Sequence, residues 1–134
     1  MVPNIIAVVV AAVVAVIVGG VWYSPFLFGK AWMEALGKNP ADMKGMKMPM
    51  KSMGIQFVAS FVTAYVLAHF ALVWHIQTFG EAVKIGFLVW AGFYATSLMG
   101  PVLWEGRPWK LYFINAAQFL VSIVLMTAIV GLWQ

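Results

Sequence analysis

The chain has no cysteine in its 134 residues. Disulfides, thiolate metal centres and thiol nucleophiles are therefore excluded. Charge is almost as scarce: 9% of residues are charged, with four acids and two histidines in all. A soluble domain carries about 25% charged residues. So few acids and imidazoles leave little for proton transfer. No Ser/His/Asp set, no His/carboxylate metal spacing and no phosphate-cradling glycine loop is present. The basic residues are not interleaved along an exposed face, so a nucleic-acid surface is excluded as well. We expect no enzyme, no cofactor and no nucleic-acid partner.

What the chain has in abundance is apolar length. Hydrophobic residues make up 64% of it, against about 45–50% for a soluble domain. A water-soluble fold of this size has nowhere to hide that much apolar surface. About 20 apolar residues cross a ~30 Å hydrocarbon core, and four stretches are that long: about 4–23, 54–75, 82–104 and 111–133. The expected architecture is an all-α membrane protein of one domain. It has four transmembrane helices and a short interfacial helix in a cytoplasmic loop at 24–53. The first run lacks a basic leader and is too long for a signal peptide, so we read it as an uncleaved span.

The chain is organised around Gly19–Trp32, GGVWYSPFLFGKAW. Trp22 and Tyr23 suit an aromatic belt. Ser24 precedes Pro25 and is pushed out of helical geometry, so the first helix ends or kinks there. Helical spacing resumes at Gly29–Leu36, with Trp32 and Leu36 on one face and Lys30 and Glu34 on another. Gly37 suits a C-cap. Upstream, Ala7, Ala11, Ala15 and Gly19 recur every four residues and make a small-residue stripe for close helix approach.

The first loop ends in a methionine-dense segment, with Met43, Met46, Met48, Met50 and Met53. Thioethers select soft ions such as Cu(I), but Lys44, Lys47 and Lys51 repel a cation. We favour thioethers dipping into the interface beneath wet lysine heads. These lysines also suit anionic lipid head groups.

Polar residues inside the spans are few. Tyr65 and His69 share a face of the second span, with His69 about five residues past its centre, roughly 7 Å at the helical rise. An ionisable residue at that depth is a candidate site; a neutral histidine satisfied by a neighbouring helix is the plainer alternative. In the third span, Gly86, Trp90, Tyr94, Ser97 and Pro101 form one mixed face. Gly92 and Thr96 supply another small pair, and Gly100-Pro101 predicts a kink. In the fourth, Tyr112, Asn115, Gln118 and Ser122 lie within about 120° of arc at 100° per residue. Lipid offers this stripe no hydrogen bonds, so it is interhelical glue or the lining of a cavity. Tyr65, His69, Tyr94, Gln118 and Ser122 are the candidate pathway residues.

Seven of the eight cationic residues (Lys30, Lys38, Lys44, Lys47, Lys51, Arg107 and Lys110) belong to the first and third loops; only Lys84 lies on the other side. The positive-inside rule puts those loops in the cytoplasm and both termini outside. A second candidate cluster then gathers at the inner interface: Trp22, Tyr23, Ser24 and Pro25 with Glu105, Arg107 and Asn115. We expect Glu105 and Arg107 to pair with each other or across to the first span, as a latch in preference to a ligand site.

Three elements carry a resemblance: WYSPFLFGKAW at 22–32, WAGFYAT at 90–96 and LWEGRPWKLYFIN at 103–115. In order and spacing they resemble the domain of unknown function 1761 family of small bacterial integral membrane proteins. The resemblance covers essentially the whole chain and implies a four-helix protein of the bacterial cytoplasmic membrane, with no activity attached. The function expected first is a homo-oligomeric helical bundle. The alternative is a small transporter or channel lined by the polar faces of spans two and four. Small four-span multidrug exporters are a precedent by size alone; they need an acid deep in the first span, and this one has no charge there.

Overall fold

The computed structural model describes residues 2–39 and 50–134. Met43, Met46, Met48, Lys44 and Lys47 of the methionine-dense segment lie outside the described residues. The described chain is all-helical, without strands, and four of its helical stretches are long and apolar enough to cross a membrane. In hydrocarbon every backbone group must be satisfied within the chain, and a helix does so locally.

Helix α1 (Ile5–Trp22) starts at Asn4, whose Oδ1 accepts from the amides of Ile6 and Ala7 at 3.0 and 3.4 Å. This is an ordinary N-cap. The short α2 (Gly29–Ala35) follows within seven residues. Gly37, at φ +78°, closes it: the Lys38 amide bonds the Met33 carbonyl and the Gly37 amide the Glu34 carbonyl. That pair of bonds is the Schellman closure expected of a glycine there.

Helix α3 (Met50–Val73) begins four residues before the expected start at 54. Lys51 and Ser52 are exposed, and a helix runs on past the apolar zone where its polar side chains stay wet. It too ends in a Schellman turn, with Ile76 bonding back to Ala71 and His75 at φ 51° in the place glycine usually takes. The turn expected at Gln77–Gly80 falls earlier. Thr78 caps the next helix by accepting from the Glu81 amide at 3.1 Å, and Glu81 accepts from the Gln77 amide at 3.0 Å. The helix of the third apolar stretch therefore starts at Phe79, three residues before 82.

That span is not one regular helix. It comprises α4 (Phe79–Val89), a π-helical segment over Trp90–Ala95, a 3₁₀ turn at Ser97–Met99 and α5 (Gly100–Trp104). The irregularity expected at Gly100-Pro101 thus begins ten residues earlier. Helix α6 (Trp109–Leu132) completes the bundle.

Helix α6 is the axis. It packs against α1, α3 and α4, whereas α4 leans on α6. Half of its most apolar window is buried, against 11% for the third span. Small residues make this possible. Ala7, Ala11 and Ala15 of α1 and Ala64, Ala68 and Ala71 of α3 are buried, so backbones approach where lipid gives no hydrophobic drive for association. The α1 stripe is thus a packing stripe. Gly92 and Thr96 are exposed instead, with Thr96 donating to the Gly92 carbonyl of its own turn. The apolar core joins Val8, Leu67, Val89, Ile123 and Met126. It fills the half of the bundle remote from α2.

Candidate functional site

The first candidate cluster falls at the end of the bundle where α1 finishes and α3 and α6 begin. Pro25 breaks α1, and the chain folds back so that Leu27 and Gly29 bond the Ser24 carbonyl and Phe28 the Trp22 carbonyl. Gly29 is required by this reversal: a Cβ there would stand 2.6 Å from the Ser24 oxygen, closer than such atoms approach. The reversal packs Trp22 against Phe28 and Tyr23 against Trp32 with tilted rings, at centroid distances of 4.6 and 4.9 Å.

Oriented this way, α1 is clamped to α6. The Trp22 indole donates to the Ile114 carbonyl at 3.0 Å and the Tyr23 hydroxyl to Asn115 Oδ1 at 2.6 Å. The third span is clamped to the other side of α6. Trp90 Nε1 donates to the Ala116 carbonyl at 2.8 Å, and the Tyr112 hydroxyl donates to the Ala95 carbonyl at 2.7 Å. Widening a helix to the π form frees carbonyls from their usual partners, and such segments favour functional positions; here Ala95 takes its donor from α6. Tyr94, in the same segment, stacks on Phe119 at 5.0 Å.

The first cluster is therefore split. Trp22, Tyr23 and Asn115 meet in the clamp; Ser24 donates to the Val21 carbonyl at 2.7 Å and, with Pro25, forms the reversal. Glu105 and Arg107 do not join them. Both are exposed, their backbone amides bond the Pro101 carbonyl, and neither carboxylate nor guanidinium forms an ion pair among the described residues. The α5–α6 turn leaves both exposed. The carboxylate tie between the loops is instead Glu34 to Lys110, at 3.7 Å and well exposed, a geometry that contributes little.

Beside the clamp lies a cavity of about 810 Å³. Its walls are α1 from Ala15 to Gly20, α3 from Ser52 to Thr63, α6 from Gln118 to Met126, and Tyr94. Tyr23, Ser24 and Trp32 rim it. It runs from the loop end to about the middle of the bundle and stops at the core.

The candidate pathway is also divided. Tyr94, Gln118 and Ser122 line the cavity. Tyr65 and His69 do not: they meet each other edge-on at 4.8 Å on the outer face of α3. In their place the cavity takes Gln56, Ser60 and Thr63, which lie nearer the loop. A signal for them was present. Gln-Phe-Val-Ala-Ser at 56–60 and Gln-Phe-Leu-Val-Ser at 118–122 are near-copies. Each glutamine donates to the serine four residues on, at 3.3 and 2.8 Å. Among the described residues, no group of three or more metal-ligating His, Cys, Asp or Glu side chains occurs.

The clamp and the reversal coincide with the three sequence elements at 22–32, 90–96 and 103–115, which gives those residues a physical role. No curated protein and no solved structure matches the chain. One family model, described as protein of unknown function (DUF1761), matches residues 6–131, from the first turn of α1 to the last of α6, and the chain belongs to that family.

Proposed function

We propose that the protein is a small carrier of the bacterial inner membrane, with both termini outside and its ligand site in the cavity. The observation that carries this reading is the cavity's lining. Amides and hydroxyls from α3 and α6 face a space of about 810 Å³, within the usual range for small-molecule sites. The cavity ends blind at the apolar core, which favours a carrier over an open channel. Among the described residues its lining holds no imidazole and no carboxylate, which favours binding over catalysis. The exposed Lys30, Lys38, Lys51, Arg107 and Lys110 gather at the same end, so the positive-inside rule turns the cavity toward the cytoplasm. Lys51 there also suits anionic lipid.

The absence of native cysteine makes the test direct. Single cysteines at Gln56, Ser122 and, in the core, Ala64 are to be treated with a charged, membrane-impermeant thiol reagent in inverted and right-side-out vesicles. Positions 56 and 122 should react from the cytoplasmic face, and Ala64→Cys should not. Protection at all three would mean a dry bundle and would overturn the proposal.

One observation favours homo-oligomerisation as well. Tyr65 and His69 are exposed on the outer face of α3, inside its apolar length. An imidazole facing lipid is costly, and the same face of a second copy would cover it. Cysteines at Val62 or Val66 on that face should then cross-link two chains; monomers only would refute this.

A further inference from the structure

We infer that the cavity takes an uncharged aromatic molecule bearing a hydroxyl or amide group. This inference rests on the carrier reading and names its ligand class. Among the described residues, those around the cavity include no Asp, Glu, Lys, Arg or His. An ionic ligand would give up part of its hydration for a lining that, among the described residues, offers it no countercharge. The site therefore discriminates by charge before it discriminates by shape.

What it offers instead is paired. Gln56 with Ser60, and Gln118 with Ser122, stand on two helices that start from the same end of the bundle. Each amide spends one N–H on its serine. That leaves one N–H, the amide oxygen and the serine proton in each couple. Donor and acceptor thus lie side by side at two places, which suits a ligand group that both donates and accepts, as a hydroxyl or an amide does. A bare ether or ester would leave donors without a use. The rest of the wall is aromatic and soft: the Tyr94–Phe119 stack, Trp32, and the thioethers of Met53 and Met126. Rings bind well against such surfaces.

The test uses three probes with one ring system: 2-naphthylmethanol, 2-naphthoate and 2-naphthylmethylammonium. Binding to the full chain in phosphatidylcholine nanodiscs is measured by titration, with empty nanodiscs subtracted for lipid partition. The neutral probe should bind saturably, and at least about tenfold more tightly than either ion, the equivalent of ~1.4 kcal/mol. Gln118→Leu and Gln56→Leu should each weaken it by about tenfold, and Val62→Ala on the outer face should leave it unchanged. Gln118→Glu, which keeps the shape, should reverse the order and favour the ammonium probe. If an ion binds as tightly as the alcohol while Ser122→Cys remains open to aqueous reagent, the ligand class is wrong and the cavity reading survives. If no probe saturates and Ser122→Cys is also closed, both fall. Neutral binding unaffected by either glutamine variant places the probe elsewhere and overturns the assignment.

Discussion

The Tyr23–Asn115 bond is the most exacting place to test the clamp. At 2.6 Å it is short for O–H···O, and it joins residues 92 apart in sequence. It is part-buried, so its loss is felt on both sides. Tyr23→Phe deletes the donor and leaves Asn115 Oδ1 without it, costing about 1–3 kcal/mol if the oxygen stays dry. Asn115→Leu deletes the acceptor and strands the phenol similarly. The double variant removes both and should cost less than the sum. Interhelical bonds in membranes couple by about 0.6 kcal/mol on average and at most ~1.7. The short distance and partial burial place this pair in the upper half, so we expect about 1 kcal/mol, a factor of roughly five in the unfolding equilibrium. Reversible unfolding in mixed micelles of mild detergent and dodecyl sulfate reads it as a double-mutant cycle. Coupling below about 0.3 kcal/mol, within ordinary additivity, would refute the clamp as the tie between α1 and α6. Trp22→Phe is a second check, since it removes the 3.0 Å bond to the Ile114 carbonyl but keeps ring contact with Phe28.

Four further substitutions follow from close approaches and backbone geometry. Gly29→Ala drives a methyl onto the Ser24 carbonyl and should cost on the order of 3 kcal/mol, the top of the overpacking range, seen as a fall in melting temperature and loss of expression. Gly131→Ala places a Cβ 2.8 Å from Ile76 Cγ2, and Gly86→Ala places one 3.1 Å from the Val124 Cα; each should destabilise by about 1–3 kcal/mol in the same unfolding assay. His75→Gly relieves a left-handed residue at φ 51° and should stabilise by about 0.5–1 kcal/mol, because the left-handed cost of roughly 1–2 kcal/mol is partly offset by the extra freedom of glycine when unfolded.

The spans were legible because apolar length is a one-dimensional signal, and hydrocarbon thickness fixes how much of it is needed. The α1 stripe was legible for a similar reason: a four-residue spacing of alanine states which face packs. The polar stripe of the fourth span also pointed inward as its spacing required. What failed was pairing across the bundle. Glu105 and Arg107 are close in sequence to Lys110, but the α5–α6 turn leaves them exposed, and charge alone does not set direction. The indole bonds of Trp22 and Trp90 were illegible because they end on backbone carbonyls, which every residue has. His69 drew attention by chemistry, yet its place on the turn of α3 puts it on the exposed outer face. The π-helical segment gives little warning in composition, since Trp90–Ala95 has no proline and a single glycine, Gly92, which helices tolerate.

A void in a helical bundle is open to two explanations, a packing defect or a site, and they differ in what filling it does. Empty cavities that are mere defects are apolar. This one is walled by glutamines and serines already bonded to one another within their own helices, so no buried polar side-chain atom among the described residues lacks a partner. The site can therefore empty and refill without leaving an orphaned group behind. Gly20 tests the distinction, because it lines the cavity and a Cβ built on it meets nothing within 4 Å. Gly20→Leu adds its Cβ without a clash and should gain about 0.5–1 kcal/mol from helix propensity, so unfolding in mixed micelles should show equal or greater stability. The same change occupies the space that a ligand needs, so reaction of Ser122→Cys with aqueous reagent should slow by about tenfold or more, the equivalent of ~1.4 kcal/mol. Stability retained with access lost is the signature of a space kept open for a guest. A variant that unfolds would mean the helices are closer at this point than the geometry gives, and unchanged access would mean that water reaches Ser122 by another route.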